Sequence, residues 1–358
     1  MGFSVYEGRL SSYYGSDEKI VIPKNVRTIQ DNTFENKEHI VNIQIPKEVL
    51  SIGVGVSYNC PLLLSIDVDS ENPHYKSVDG NLYTKDGKTL IQYATGKRDR
   101  NFDVPEGVEE ISPYAFYGAK HLHSVKLPSS VETIGTSAFY DCTSLANINL
   151  PEGVCKIDNY AFRNCAFTDI TIPSSVNTVC RGAFSNCKSL QKVIISDDVS
   201  AIGEDAFKDC QSLREVTISD GVSAIGENAF CNCTSLSKIN IPSSVTAIGK
   251  GAFQYCKSLA IYRKELNKPK GWARGWKPFG VKCYLDIKFP LTAVNEEIVP
   301  EEEEKDTSLD FKIKGGVLEE YLGNDKIVTV PNDVTEIAVG AFSGKSFIKL
   351  IVLEINSV

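Results

Sequence analysis

Apolar and polar positions along this chain follow two nested periods. At short range they alternate, as in Val125-Lys126-Leu127 and Ile170-Thr171-Ile172, which is the two-residue period of a strand with one buried face. At longer range the string Ile-Gly-x-x-Ala-Phe returns, and its phenylalanine falls at Phe116, Phe139, Phe162, Phe184, Phe207, Phe230 and Phe253, in steps of 23 residues with one step of 22. One unit, Leu122 to Leu145, carries Leu122, Val125, Leu127, Pro128, Val131, Ile134, Gly135, Ala138, Phe139 and Cys142 in a fixed frame. The pairs Ile148/Leu150, Ile170/Ile172, Val193/Ile195, Val216/Ile218 and Ile239/Ile241 predict a short strand opening each unit. A proline or serine then ends its ladder (Pro128, Pro151, Pro173, Ser196, Ser219, Pro242). The Val-x-x-Ile step predicts a second, shorter extended segment, glycine a tight bend, and Ala-Phe a short helical turn, α or 3₁₀, that places the ring inward.

A unit of this size cannot bury its own inner face, whereas stacking on a copy of itself does so, with parallel strands about 4.8 Å apart. The expected architecture is a solenoid. Its early turns are degenerate but in register: Ser57 stands where a phenylalanine belongs, while Cys60, Leu63, Ile66 and Val68 keep the frame. Between Asp69 and Pro105 the repeat is stretched by a piece containing Asp79-Gly80 and Asp86-Gly87 between strand-like runs, a hairpin signature.

These residues resemble the BspA-like leucine-rich repeat proteins, known mainly from bacterial cell surfaces, over nearly the whole chain. The resemblance rests on the frame I-P-x-x-V-x-x-I-G-x-x-A-F-x-x-C, on the insert NPHYKSVDGNLYTKDGKTLIQYATGK (Asn72 to Lys97) and on the ending IYRKELNKPKGWARGWKP (Ile261 to Pro278). It implies a fold class of α/β or mainly β repeat: a leucine-rich repeat solenoid with short parallel strands, a hairpin insert and capped ends. It also implies a bacterial surface or secreted protein engaged in adhesion or host binding.

The expected layout is an N-terminal opening unit at 1–37, the repeat array at 38–260 with the hairpin insert at 70–104, a C-terminal cap at 261–290, an acidic linker at 291–308 and the start of a second, incomplete repeat module at 309–358. Phe3, Pro23 and Phe34 are matched at one constant offset by Phe311, Pro331 and Phe342, so the second module copies the opening of the first. The incomplete module is expected either to dock on an open array end, its own or another copy's, which makes self-association possible, or to be loosely ordered.

Charge changes the picture only locally. The net charge is −8, and most of it sits between Glu296 and Asp310, where eight acids accompany Lys305 alone. The rest is nearly neutral and has no stripe of lysine and arginine, so neither nucleic acid nor an anionic membrane is an expected partner. Apolar runs such as Pro61 to Leu64 fall far short of the roughly 18–20 residues of a membrane helix, so no membrane insertion is expected. Met1 to Leu10 has neither the basic start nor the apolar middle of a secretion signal.

Eleven cysteines first suggest a disulfide framework, but Cys142, Cys165, Cys187, Cys210, Cys233 and Cys256 each follow a repeat phenylalanine by three residues, and Cys60 joins them by frame. Equivalent positions point the same way, so the expectation is a ladder of buried thiols. Cys231 and Cys233 are too close for a zinc hook, and Cys155, Cys180 and Cys283 are read as fillers. No metal, cofactor or catalytic residue is expected. His39, His74, His121 and His123 join no recognisable constellation, and the last two are placed at the surface. Phosphate-loop, nucleophile-elbow and HExxH motifs are missing. Trp272 and Trp276, beside Pro269, Pro278 and Phe279, are read as covering the last repeat rather than as a sugar platform. The acidic run Glu301 to Glu304 is read as a solvated spacer.

Positions the repeat does not dictate are the candidate binding residues. On the outer strand face they are Asn147, Asn149, Asp169, Thr171, Lys192, Ile194, Glu215, Thr217, Lys238 and Asn240, a mixed row suited to a protein or an extended polymer. Two function classes stay open: a non-enzymatic extracellular protein-binding or adhesion module whose partner is a host or matrix protein or a glycan, and a structural spacer or self-assembly element of a cell-surface protein.

Overall fold

A computed structural model of the chain describes residues 2–263, 269–278, 281–285, 297–298, 311–314, 317–321, 327–329, 336–337 and 349–351. The chain divides into two compact units, Met1–Glu296 and Glu297–Val358. Within the first, each repeat contributes two strands, and the turns stack as a parallel β-solenoid. The second strands form a continuous short row that runs from the hairpin insert through Glu110–Ile111, Thr133–Ile134, Lys156–Ile157, Thr178–Val179, Ala201–Ile202, Ala224–Ile225 and Ala247–Ile248 to Gly271–Trp272. Its register repeats strictly, with Ile111 on Ile134, Ile157 on Val179, Ile202 on Ile225 and Ile248 on Trp272. The opening strands form a long row on another side of the coil.

The phenylalanines make the column that the frame predicts. Successive rings from Phe116 to Phe253 lie 4.6, 5.2, 5.3, 5.5, 5.3 and 5.5 Å apart with planes inclined by 16° or less. All are fully buried. Each ring removes the apolar face of its neighbours from water, worth about 1.5–3 kcal/mol per side chain. Tyr93 extends the stack below Phe116, with ring centres 5.0 Å apart, and Trp276 meets Phe253 edge-on at 5.9 Å. Trp272 and Trp276 are both buried, 5% and 4% exposed, which excludes an open sugar platform and closes the apolar end. Phe279 lies outside the described residues. At the other end Tyr13 leans on Phe34 at 5.9 Å and on Phe3 at 5.1 Å.

The expected helical turn at Ala-Phe is overturned, and the described residues contain no helix. Residues two before the phenylalanine (Ser137, Tyr160, Asp205, Asn228) and two after it (Asp141, Asn164, Asp209, Asn232) sit at φ between 53° and 63°. Two left-handed residues in so short a span cannot belong to a right-handed helix; they fold the chain into consecutive tight turns. The fold is therefore mainly β.

The insert contains the hairpins. Tyr75–Val78 pairs antiparallel with Asn81–Thr84 around Asp79-Gly80, both at positive φ (49° and 71°), the geometry that matches strand twist in a two-residue loop. Asn81–Thr84 then pairs with Thr89–Gln92, which returns to the parallel short row at Glu110. Buried Asn72 anchors the piece: its amide donates to the carbonyls of Pro46 and Val49 and its oxygen accepts from the amides of His74 and Tyr75. The buried core falls into two clusters on either side of this insert. Ser57, where the ring is missing, is buried with an unpartnered hydroxyl.

The first unit opens on a hairpin, Phe3–Tyr6 with Arg9–Tyr13, whose second strand runs parallel to Thr28–Ile29. In the second unit Phe311–Lys314 pairs with Val317–Tyr321, with the same register shift after the second pair, and that strand again runs parallel to Glu336–Ile337. Pro331, Phe342 and the acidic run Glu301 to Glu304 lie outside the described residues. Replacing one central ring, Phe184→Ala, is expected to destabilise the array by about 3–5 kcal/mol in urea unfolding monitored by far-ultraviolet dichroism.

Candidate interaction face

The long row positions the candidate binding residues because strand alternation turns every second side chain outward. Asp169, Lys192 and Glu215 share one register position, and Thr171, Ile194 and Thr217 the next. Lys192 and Ile194 are half-buried and the other four exposed. Lys192 Nζ lies 2.8 Å from Glu215 Oε1, and this hydrogen bond raises the lysine above its ordinary pKa. The pair is solvated and adds little stability by itself; it fixes where the charges point. One turn on, Lys238 lies over the Tyr262 ring, 4.4 Å from its centre, with Asn240 beside Tyr262 in register.

The row is not one sheet. Its ladder is broken between Asn147–Ile148 and Asp169–Ile172, where the strands part, and interrupted between Glu215–Ile218 and Lys238–Ile241, where they stay side by side. Asn147 and Asn149 therefore stand apart from the other eight candidates. Asn147 Nδ2 is 3.3 Å from His123 Nε2. The Asn149 amide bonds the Leu127 backbone in both directions, at 2.8 and 2.9 Å, where a strand would have continued. Its side chain is committed to the fold.

A second array lies on the turn side and escaped the sequence reading. Tyr117 and Tyr140 stack at 4.9 Å with planes 4° apart. Tyr58 touches Tyr114 and Tyr117 at 5.0 and 5.1 Å, and the Arg163 guanidinium covers Tyr140 and Tyr160 at 5.5 and 5.9 Å. All five rings are half-buried. The available signal was the unit spacing of Tyr117 and Tyr140 just after the buried phenylalanine.

The family model for the BspA type leucine rich repeat region matches residues 11–84, 96–166 and 155–265, in six copies. The chain belongs to this family. Among solved structures it is similar to a leucine-rich repeat protein from Eubacterium ventriosum, 26% identical, with 72% of this chain and 80% of that one covered and a TM-score of 0.61. The pneumococcal vaccine antigen PcpA is 22% identical, with 67% and 55% covered and a TM-score of 0.52, a likeness of fold alone. No curated protein matches.

Within this BspA-type array the cysteine ladder has a definite task. The thiols of Cys142, Cys165, Cys187, Cys210, Cys233 and Cys256 each donate to the carbonyl of the phenylalanine one turn earlier, at 3.1–3.2 Å, and Cys60 does so to Phe34. They cap a carbonyl that the tight turn leaves inside the core. Beside them runs a polar ladder: Asn164 Nδ2 donates to Asp141 at 2.6 Å, Asn186 to Asn164 at 3.0 Å and Asn232 to Asp209 at 2.8 Å. Asparagine and aspartate suit these positions because they tolerate left-handed φ.

Burial pushes the Cys187 thiol up to about 12 and that of Cys60 to about 11, so these sulfurs are poor nucleophiles. Cys155 is exposed. Among the described residues no three His, Cys, Asp or Glu side chains gather to hold a metal. His121 is exposed as expected, while His123 is half-buried beside Asn147.

Two outcomes follow from the thiols. In native protein at pH 8 a thiol reagent is expected to label Cys155 rapidly and the ladder only after unfolding, read by mass spectrometry. The folded Cys187 and Cys60 thiols lie above the unfolded value of 9.0, so their contribution is intact below pH 9 and lost as pH rises toward 12. The melting temperature is therefore expected to fall steadily over that interval.

Proposed function

We propose that this chain is a non-enzymatic binding module of a bacterial surface or secreted protein, contacting a host or matrix protein through the outer face of its long strand row. The carrying observation is the row itself: Asp169, Lys192, Glu215 and Lys238 alternate in sign over successive turns and are interleaved with threonine, isoleucine, asparagine and tyrosine. A mixed, nearly neutral, extended surface favours a protein partner over a small molecule, because direct readout is spread over many modest contacts. Family membership supports a recognition role. A glycan is the second ligand class, for which the half-buried tyrosines around Arg163 would supply the contacts.

The alternative is a structural spacer or self-assembly element. The hairpin that starts the first array recurs in the second unit with the same register shift, which favours one array joined to the next.

The test is binding of the full chain to immobilised matrix proteins and glycans, beside a Lys192→Glu/Lys238→Glu variant. An adhesion module is expected to bind at least one protein ligand, and the variant to lose tenfold or more in affinity with an unchanged melting temperature. No ligand, together with concentration-dependent oligomers in sedimentation, favours the spacer.

A further inference from the structure

The repeat that carries Phe162 to Phe184 is one residue short, and the deletion can be placed. Elsewhere the leucine amide closes a turn onto the cysteine carbonyl, as in Leu145 to Cys142 and Leu190 to Cys187. Here Cys-x-x-Leu has become Cys165-Ala166-Phe167. The turn is gone, Ala166 donates instead to the Leu145 carbonyl at 2.9 Å, and the Phe167 ring packs edge-on against Phe162 at 5.6 Å. The short row stays paired at Ile157 and Val179. On the long row the strands part: no Cα of Asn147–Ile148 lies within 8 Å of any Cα of Asp169–Ile172. The result is a wedge, closed on one side of the coil and open on the other. It forms a cleft of about 350 Å³ lined by Ile148, Leu150, Glu152, Asp169, Ile170 and Pro173.

The cleft exposes unfinished backbone. Amides equivalent to Asp169 donate to the strand below in other turns, Lys192 to Thr168 and Glu215 to Gln191. Those of Asp169 and Thr171 face the same way and have no acceptor among the described residues. The strands here lie more than 8 Å apart, Cα to Cα, against the usual spacing of about 4.8 Å between paired strands. We propose that the wedge is a docking slot for an extended peptide of another protein, which pairs with the open edge of Asp169–Ile172 and completes the ladder. This sharpens the protein-binding reading above and rests on it.

The lining sets the peptide's chemistry. Its inward residues meet Ile148, Leu150 and Ile170, so they are apolar. Its outward residues meet Glu152 and Asp169, neither of which has an ion-pair partner among the described residues, since Lys192 is turned to Glu215. A cation beside Asp169 also continues the alternation of charge along Asp169, Lys192 and Glu215. The fitting ligand is a strand of alternating apolar and basic residues.

The probe is a fluorescein-labelled Lys-Val-Lys-Val-Lys peptide titrated into the full chain, with Glu-Val-Glu-Val-Glu and Lys-Val-Pro-Val-Lys as controls. At saturation, exchange at the Asp169 and Thr171 amides is expected to slow tenfold or more by amide-resolved hydrogen exchange. Affinity is expected to fall at least tenfold for the acidic and proline peptides and for Asp169→Lys, an exposed site whose folding is checked by its melting temperature. A serine inserted after Cys165 restores a full unit and is expected to close the slot. The proposal is overturned by no binding at millimolar peptide, by equal affinity for basic and acidic peptides, or by unchanged exchange at both amides. Because the readout is protection at these two amides, the slot can fail while the matrix-protein binding of the wider face survives.

Discussion

A turn of this solenoid is completed only by its neighbours. Backbone amides of paired strands donate one turn down, each thiol of the cysteine ladder bonds the phenylalanine carbonyl of the turn before, and each phenylalanine ring of the column is covered by the next. These ties demand one unit length, because a chain that arrives early or late cannot meet all of them. The unit ending at Phe184 shows the consequence: with one residue missing, the short row, the ring column and the thiol bond keep their register, and the long row opens instead. The buried ties outweigh the solvent-facing ladder because an orphaned core contact has no water to replace it, while a surface amide has.

The same constraint accounts for the ends. A turn at the end of the stack exposes an apolar ring and an unpaired strand, and both costs are met by special pieces. Tyr13, carried on a hairpin with left-handed Glu7-Gly8, shields Phe34. Trp272 replaces the short-row isoleucine and donates its indole N–H to the Val245 carbonyl at 3.1 Å, while Trp276 closes over Phe253. The hairpin's reappearance at Phe311–Tyr321 is a repetition of that starting piece.

Function, on this view, is relegated to what the stack leaves free. The inward positions are uniform from turn to turn, so what varies lies in the outward strand residues and in the tyrosines that follow the buried phenylalanines, where the proposed recognition would act. Charges along the strand row largely neutralise one another, which suits matching against a protein surface better than long-range attraction. The opening beside Asp169 breaks this uniformity. It offers directional backbone groups where the rest of the face offers only side chains.

The repeat length, the buried phenylalanines and thiols, the strand alternation and the Asp-Gly hairpin were legible from residues alone, since each reflects a local period or a local backbone preference that recurs often enough to rise above chance. Tyr93 as the first ring of the column, the left-handed turns in place of a helix, and the commitment of Asn149 to Leu127 were not, because they depend on which group one turn away is left unsatisfied. The step of 22 was visible in the sequence. That it opens the outer row and spares the inner one was settled only by tertiary structure, where buried and solvated hydrogen bonds compete for the same missing residue.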